Sequence, residues 1–181
     1  MVSFETAVEN FTRSCAGYCV ATYVLGIGDR HNDNIMLCRD GHLVHIDFGW
    51  IMGKNPKMGP FDRYSNEMLP MTDDFAAIIE SGELSKVENF ERFEQLCCDC
   101  YNVLRRQANL FVNLWALMVP AELEHVRPED LSFLRDAFKL GEDEVVAAAF
   151  FRSLIATSLS SLNLKFNWMM HTVKHQGLFG K

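Results

Sequence analysis

The sequence predicts an α+β fold that is mostly helical, with one short β-hairpin packed among the helices. Apolar residues recur at helical spacing over residues 4–24 and through most of the second half of the chain. Two short β-prone runs, residues 34–38 and 42–46, flank an Asp-Gly turn signal and predict the hairpin. With 49% hydrophobic and 23% charged residues, the chain has the composition of a globular domain that buries a core.

Two more segments have readable local signals. Residues 50–70 contain several glycines and prolines without a sustained period, which predicts a long loop of the kind that usually carries function. A capping-box pattern at residues 85–88 predicts the start of a helix that continues past Leu117.

The last part of the chain is predicted to be helical. Residues 128–130 suit the first turn of a helix that ends at Gly141. A final helical region is predicted from residue 143 to about residue 174, with a bend or break near residues 158–161.

Composition and charge exclude several classes of protein. A net charge of −7 argues against a protein that binds nucleic acid through its overall charge. No apolar run is long enough to span a membrane, and the N-terminus lacks a signal-peptide pattern. The six cysteines lack the spacing of a zinc site and are expected to be reduced, which predicts a cytoplasmic protein.

The pattern that carries chemistry is Asp-Arg-His-Asn-Asp-Asn at residues 29–34, followed by Asp47, Phe48 and Gly49. Two carboxylates and a carboxamide at this spacing are what a phosphoryl-transfer enzyme needs to hold Mg²⁺ and to orient a hydroxyl group. The order resembles the protein-kinase catalytic loop H-R-D-x-x-x-x-N with its later D-F-G, although the triplet here is reversed to Asp-Arg-His.

The predicted hairpin would bring two oxygen donors of this pattern together. Asn34 begins its first strand and Asp47 follows its second, so we expect their side chains to lie close to each other. Both could ligate one Mg²⁺ or Mn²⁺, because amide and carboxylate oxygens suit a hard cation that also binds phosphate. Gly26 and Gly28 precede the loop, where the backbone can need unusual dihedral angles or a close approach.

Two residues are candidates for the base that accepts the hydroxyl proton. Asp29 stands at the position that the protein-kinase spacing gives to the base. His31 is of the residue type that titrates near neutral pH, which suits proton transfer worth roughly 10²–10⁴-fold in rate. Arg30 is grouped with these catalytic residues and is expected to brace the loop, while His45 is expected to pack or to hydrogen-bond.

These residues and their flanks resemble the C-terminal lobe of a phosphatidylinositol 3-kinase catalytic domain, within the phosphatidylinositol 3/4-kinase superfamily. The blocks D-R-H-N-D-N and H-I-D-F-G are specific for the superfamily, and residues 11–19, 101–111 and 166–171 resemble helices of its lipid-kinase branch. The resemblance implies a protein-kinase-like C-terminal lobe over residues 1–181, with Mg²⁺ or Mn²⁺ as cofactor and ATP as co-substrate. It favours the histidine as the base, and it places Phe48 and Gly49 beside the ATP phosphates at the start of the activation loop.

One part of such a catalytic domain has no counterpart in this sequence. No glycine-rich strand pair and no phosphate-bridging lysine precede residue 29, and in the family these belong to the N-terminal lobe. Phosphoryl transfer depends almost wholly on positioning and electrostatics. We therefore expect this chain alone to be inactive and to be a fragment of its parent kinase.

Substrate choice is expected in the loop after Gly49. Class I enzymes of the family carry a dense basic cluster there, whereas residues 50–68 offer Lys54, Lys57 and Arg63 against two acidic residues. Each missing charge-assisted contact with phosphate would forgo about 1.5–3 kcal/mol. The loop resembles class III, although the C-terminal helices resemble classes I and II. Weighting the loop, we predict that these basic residues meet phosphatidylinositol or a monophosphorylated phosphoinositide rather than the 4,5-bisphosphate.

The C-terminal segment predicts contact with a membrane. Residues 165–181 contain three lysines and two histidines but no acidic residue, and Trp168 stands off the apolar stripe of the helical wheel. We therefore expect Trp168, Lys174 and Phe179 on an anionic phosphoinositide surface, either of endomembranes or of the plasma membrane. Packing of this helix on the lobe fits the same pattern.

Two other functions stay open from the sequence. A protein kinase of the same superfamily would use the same metal ligands and ATP on a protein hydroxyl. A non-catalytic module would use the lobe to dock a membrane or a partner, although intact metal ligands argue against it. The family resemblance also implies a regulatory subunit, which no residue here identifies.

Overall fold

The computed structural model of the chain describes residues 2–55, 57–58, 61–62, 69–121 and 126–160. Within these ranges the protein is mostly helical with two small antiparallel hairpins, so the predicted α+β class is confirmed. The helices are α1 (Phe4–Leu25), α2 (Asp73–Glu80), α3 (Lys86–Arg106), α4 (Ala108–Met118), α5 (Asp130–Ala137) and α6 (Glu144–Ser160). The strands are β1 (Ile35–Leu37), β2 (Leu43–His45), β3 (Lys57–Met58) and β4 (Phe61–Asp62), and short 3₁₀ turns occupy Asn32–Asn34 and Val119–Ala121.

Helix α1 agrees with the predicted helix over residues 4–24 and contacts several of the other elements. Its first turn is capped by Ser3, whose side chain accepts a hydrogen bond from the Thr6 backbone N–H (3.1 Å). It ends at Gly26, which adopts the left-handed conformation common at helix ends. Helices α2, α3 and α5 and strand β2 all pack on it, so α1 links the core to the first hairpin.

The core lies between α1, α3 and α6. Phe93, Tyr101 and Phe151 are fully buried, and Tyr23 of α1 meets the rings of Tyr101 and Phe151 at centroid distances of 5.8 and 5.5 Å. Buried aromatic rings contribute large apolar areas and specific edge-to-face contacts. The Tyr101 hydroxyl donates to the Ala137 backbone carbonyl (2.6 Å), so its polar atom is satisfied inside the core.

The single long helix predicted after residue 85 is wrong, because the structure has two helices there. The capping box is present, with Ser85 and Glu88 exchanging side-chain-to-backbone hydrogen bonds at the start of α3. The helix breaks at Gln107, between α3 and α4. Arg105, in the last turn of α3, donates to backbone carbonyls of the turn between α5 and α6 and ties the helix end to that turn. Apolar spacing continues across the break and therefore gave no sign of it.

Helix α5 is shorter than predicted. It ends at Ala137 rather than at Gly141, because Lys139 already has a left-handed φ of 48°. Helix α6 follows after Asp143 as predicted and is described as far as Ser160. The predicted continuation to about residue 174 lies outside the described residues.

Sequence reasoning missed α2, although its start signal is visible. The Thr72 side chain accepts a hydrogen bond from the Phe75 backbone N–H (3.3 Å). Asp73 and Asp74 lie in the first turn, where carboxylates interact favourably with the helix dipole. The segment was overlooked because the helix is only 8 residues long and offers little periodicity.

The predicted loop over residues 50–70 is not wholly irregular. Strands β3 and β4 form a two-residue hairpin, with Lys57 opposite Asp62 and Met58 opposite Phe61. The part before it, residues 50–55, runs back along the end of α1. This return brings the segment to the candidate site.

Two further predictions concern the cysteines and the membrane. All six cysteines are free, and Cys15, Cys19, Cys97 and Cys98 are buried, as expected of reduced thiols in a core. Burial raises the pKa of the Cys97 thiol. Among the described helices, none is both long and apolar enough to cross a bilayer.

Candidate active site

The β1–β2 hairpin lies on α1 and carries the candidate site at its open end. Its strands are antiparallel, with Ile35 opposite His45. The pairing extends one residue further, because the Asn34 backbone carbonyl accepts a hydrogen bond from the Ile46 N–H (3.0 Å). The predicted hairpin is thus confirmed, and it brings the backbone of Asn34 opposite the residue that precedes Asp47.

The turn of this hairpin is held against the first turns of α1. Gly41 has a φ of 94°, and a Cβ at this position would lie only 2.2 Å from the Ala7 backbone oxygen. Along the second strand, the Leu43 backbone N–H donates to the Ser14 hydroxyl (2.9 Å). These contacts fix the hairpin on α1 at the end opposite to the candidate site.

His45 packs the hairpin onto α1 from inside. Its ring stacks on Tyr18, with centroids 4.5 Å apart, and its Nδ1 lies 3.4 Å from the Thr22 hydroxyl. Burial, with a smaller effect of the nearby Arg30 charge, lowers the pKa of His45 to about 4. The imidazole is therefore neutral at physiological pH, and its contacts match the packing and hydrogen-bonding role predicted for it.

Arg30 is the buried cation that joins the loop to the hairpin. Only 6% of it is exposed, and its guanidinium donates to the backbone carbonyls of Gly28 (2.9 Å), Ile46 (2.7 Å) and Asp47. It also lies over the Phe48 ring, 5.7 Å from the centroid. Burial lowers the pKa of Arg30 while two nearby carboxylates oppose the shift, and an arginine stays charged in either case. This geometry is that of a brace between the loop and the residues around Asp47.

Asp29 begins the loop in an unusual backbone conformation. Its φ is 55°, in the left-handed region that an aspartate adopts infrequently. Its backbone N–H donates to Asn55 Oδ1 (3.1 Å), and its carbonyl accepts from Asn34 Nδ2 (2.9 Å). The carboxylate is largely buried, and Oδ1 has no hydrogen-bond donor among the described residues. A buried carboxylate oxygen without a donor is costly unless a ligand such as a cation satisfies it.

His31 lies beside Asp29, so the two candidate bases are neighbours. The closest approach joins His31 Nε2 to Asp29 Oδ2 at 3.7 Å, and the ring also lies 3.1 Å from Asn34 Nδ2. Its Nδ1 accepts from the Asp33 backbone N–H (3.3 Å), with the Asp33 carboxylate 3.8 Å away. The imidazole therefore lies between two carboxylates, those of Asp29 and Asp33.

Asn34 and Asp47 are the residues predicted to supply oxygen donors to a metal ion. The Asn34 amide nitrogen already contacts Asp29 and His31, which leaves its amide oxygen as the possible ligand. Asp47 is exposed, has a φ of 59°, and accepts from the Gly49 backbone N–H at Oδ1 (3.2 Å). No group of three or more His, Cys, Asp or Glu side chains forms a metal site within the described ranges. The donor set nevertheless fits Mg²⁺, which commonly takes one or two protein ligands together with waters and substrate phosphates.

The hairpin presents an apolar outer face next to these polar groups. Side chains alternate along a strand, so the face opposite the buried His45 carries Met36, Val44 and Ile46. Met36 is 54% exposed and Ile46 is 38% exposed, and Phe48 is about half exposed. An exposed apolar surface beside charged groups is typical of a ligand-binding site.

Residues 50–55 return past the start of the loop. The Gly28 N–H donates to the Trp50 carbonyl (2.9 Å), and the Met52 N–H donates to the Leu25 carbonyl (2.8 Å). The segments approach so closely at Gly28 that a Cβ there would lie 2.2 Å from Asn55 Oδ1. The need for a residue without a side chain before Asp29, noted from the sequence, thus has a physical cause.

The structure gives Lys54 a partner that the headgroup prediction did not anticipate. Lys54 Nζ lies 2.9 and 3.0 Å from the two carboxylate oxygens of Asp130 in α5. The Asp130 side chain is only 6% exposed, so its charge needs this cation. A lysine neutralised in this way is a poor ligand for a lipid phosphate. The role of Lys54 at a headgroup stays a prediction, and its observed contact is structural.

The other sequence-predicted site residues cannot be placed. The backbone of Lys57 lies in β3, but its side chain is outside the part that the structure describes. Arg63 and the membrane residues Trp168, Lys174 and Phe179 lie outside the described residues.

Sequence reasoning also missed two residues that the structure brings to the site. Asn55 is 26 residues from its partner Asp29, and Asp130 is 76 residues from Lys54. No local pattern relates positions so far apart. An Asn-Pro pair, as at residues 55–56, is by itself only a turn signal and points to no distant partner.

The fold and the site together define the class of protein. A helical lobe carries a hairpin whose open end gathers two candidate bases, two oxygen donors and a bracing arginine, as in the C-terminal lobe of a kinase. The signature of the family described as "Phosphatidylinositol 3- and 4-kinase" matches residues 2–127. The chain belongs to this family, as the sequence predicted.

Similar proteins are named as phosphatidylinositol kinases. The chain is 46% identical over 171 residues to a "Phosphatidylinositol 4-phosphate 3-kinase C2 domain-containing subunit alpha" of Pongo abelii, covering 94% of this chain and 10% of the relative. It is 42% identical over 175 residues to "Phosphatidylinositol 3-kinase 3" of Dictyostelium discoideum, covering 96% and 10%. It is also 42% identical over 178 residues to the corresponding C2 domain-containing subunit beta of Homo sapiens, covering 98% and 11%. The chain thus spans about a tenth of the length of these relatives.

Proposed function

We propose that this chain is the C-terminal lobe of a lipid kinase that transfers the γ-phosphate of ATP to the 3-hydroxyl of an inositol lipid. The observation that carries the proposal is the cluster formed by Asp29, His31 and Asn34, joined to Asp47 through Arg30. The names of the relatives support the lipid and the position of phosphorylation.

Each residue of the cluster has a proposed task. His31 or Asp29 takes the proton of the lipid hydroxyl, and their separation of 3.7 Å allows either to assist the other. Asn34 and Asp47 would hold Mg²⁺ or Mn²⁺. When bound, this ion supplies neutralising charge to the ATP phosphates. Arg30 holds the backbone around Asp47 close to the loop that contains Asp29 and His31.

The outer face of the hairpin is the proposed floor of the ATP site. A purine ring would cover Met36 and Ile46 and remove their apolar surface from water. The opposite wall, with a phosphate-binding strand pair, is expected from the remainder of the parent enzyme. We therefore propose that residues 1–181 alone have negligible kinase activity.

The lipid is proposed to be phosphatidylinositol or its monophosphate. The Lys54–Asp130 ion pair leaves Lys57 and Arg63 as the remaining basic residues of the loop, too few for the phosphates of a 4,5-bisphosphate headgroup. Two relatives are named as phosphatidylinositol 4-phosphate 3-kinases, in agreement with a monophosphate. The enzyme would work on cytoplasmic membrane surfaces, with a regulatory subunit as a further proposed partner.

A lipid-kinase assay on the full-length protein that contains this chain tests the proposal. Phosphatidylcholine vesicles with phosphatidylinositol, its 4-phosphate or its 4,5-bisphosphate are incubated with MgATP, and the position of the new phosphate is determined. We expect 3-phosphorylated products from the first two lipids and little from the third. Phosphorylation of peptides but not of lipids would replace the proposal by a protein kinase. Transfer to neither acceptor would favour a docking module.

A further inference from the structure

The strained backbone of Asp29 is held from two sides. Asn34 Nδ2 donates to its carbonyl at 2.9 Å, and Asn55 Oδ1 accepts from its N–H at 3.1 Å. The first of these bonds lies within the predicted catalytic loop. The second comes from the Asn55 side chain, in the segment that follows Gly49. Asp29 therefore keeps its φ of 55° with help from outside its own loop.

The position of Asn55 is in turn fixed by its surroundings. Its side chain lies over Gly28, where a Cβ would clash with Oδ1 at 2.2 Å and with the Lys54 carbonyl at 2.4 Å. The preceding residue, Lys54, is anchored through its ammonium to the buried Asp130. Because one end of this short segment pairs with the end of α1 and the other is anchored to α5, Asn55 has little freedom to leave Asp29.

We propose that Asn55 is a positioning residue of the catalytic loop and that the Lys54–Asp130 ion pair holds it in place. The inference rests on the proposed kinase function, because Asp29 and His31 are the groups that it positions. Without the Asn55 acceptor, the Asp29 N–H loses its partner and the left-handed conformation loses one of its two supports. A relaxation of φ would turn the Asp29 carboxylate away from His31 Nε2, now 3.7 Å distant.

The test uses Asn55→Ala and Asn55→Asp in the full-length protein. Alanine removes the acceptor, whereas aspartate keeps an oxygen at the same place. We expect Asn55→Ala to lower kcat by roughly 10- to 100-fold, as misplacement of reacting groups by about 1 Å can do, with little change of KM for ATP or lipid. Asn55→Asp should recover most of this loss. Asn102→Ala is the matched control, because Asn102 bonds the Glu144 carbonyl (3.0 Å) far along the chain from the loop.

The contribution of the ion pair is tested by a second set of variants. Lys54→Met should lower kcat several-fold in the wild-type background but hardly at all in Asn55→Ala, because both changes release the same hydrogen bond. Lys54→Arg should retain most of the activity. Lys86→Ala, which breaks an exposed ion pair with Glu80 (3.9 Å), is the control for loss of a lysine.

Amide hydrogen exchange supplies a readout that needs no turnover. Faster exchange of residues 26–34 in Asn55→Ala, with unchanged exchange in α3, is expected if Asn55 holds the loop. Wild-type exchange and wild-type kcat in Asn55→Ala would overturn the inference. A raised lipid KM with unchanged kcat in Lys54→Met would overturn the anchoring role and return Lys54 to the headgroup. If the wild-type protein phosphorylates no lipid, the proposed function fails, whereas the exchange result still decides whether Asn55 holds Asp29.

Discussion

The helical core and the hairpin site are built from opposite kinds of residue. Between α1, α3 and α6 most of the buried side chains are aromatic, aliphatic or thiol, and the backbone is regular helix. Around the hairpin, Arg30, His31, Asn34 and His45 are buried polar groups. Of the four described non-glycine residues with left-handed φ, the three at positions 29, 47 and 52 lie in or just after the site. Each such residue costs about 1–3 kcal/mol, so the core has to stabilise a strained site.

This contrast indicates that the core supplies the stability of the lobe, whereas the proposed activity depends on the hairpin site. Apolar packing in the core contributes to the free energy of unfolding without touching the reacting groups. Buried polar contacts in the site are there to fix geometry, and a fixed geometry lowers the barrier of a phosphoryl transfer. Substitutions in the two regions should therefore separate the two properties.

The largest expected effect is a loss of stability from the core. Phe151→Ala removes a fully buried ring that touches Tyr23 and Tyr101, and it should lower the free energy of unfolding by about 3–5 kcal/mol. Hydrogen exchange of the α3 amides in the full-length protein measures this loss. Phe151→Leu, which leaves a smaller cavity, should cost less. Equal exchange in wild type and Phe151→Ala would refute the assignment of the core.

At Asp47 we expect the opposite result, a loss of turnover with unchanged stability. Asp47→Asn removes the charge of a proposed metal ligand and should lower kcat by roughly 10²–10³-fold or more. The residue is exposed, so the α3 amides should exchange as in wild type. Asp99→Asn on α3 is the control for loss of an exposed carboxylate. Unchanged turnover in Asp47→Asn would mean that the metal is held elsewhere.

A smaller effect is expected on the pH dependence of stability, because His45 packs the hairpin onto α1. The pKa of His45 is lowered to about 4 from 6.5, so between these values the unfolded chain binds a proton that the folded chain does not. Stability should therefore be lost as the pH falls from about 6.5 towards 4, by at most about 3 kcal/mol from this residue. His45→Phe keeps a ring on Tyr18 but cannot titrate, and its unfolding free energy should fall less over this interval. Identical pH dependence in both proteins would exclude His45 as the cause.

The smallest expected effect is local to one helix end. Ser85→Ala removes the cap of α3 and should cost about 1 kcal/mol. The loss should appear as faster exchange in the first turn of α3, with kcat unchanged. Ser85→Thr keeps the hydroxyl and should restore most of the protection. A fall in kcat with Ser85→Ala would show that the core and the site are less separate than the structure indicates.

The sequence predicted those features whose causes lie within a few residues. The cap at Ser85 and Glu88 joins neighbours three positions apart, and the first hairpin follows from an Asp-Gly turn between two β-prone runs. The candidate bases and oxygen donors were found because residues 29–34 and 47–49 form short, specific patterns. Local patterns of this kind can be read directly from a single chain.

The features that the sequence left out depend on distant partners or on backbone atoms. The break at Gln107 lies next to the helix end where Arg105 bonds backbone carbonyls more than 30 residues away, and the sequence does not show which carbonyls a side chain will meet. Asn55 and Asp130 acquire their roles only when the chain returns past Asp29 and α5. Such contacts are specified by tertiary packing rather than by local propensity.

The contact of Gly41 with Ala7 has a mechanical consequence. The hairpin rests on α1 at its turn, and its open end carries Asn34 and the approach to Asp47. Any side chain at Gly41 would push the turn away from α1 and tilt the hairpin. The two proposed metal ligands would then move together out of alignment with Asp29 and His31. A variant at this position would be impaired in transfer although it alters no group near the chemistry and no residue of the core.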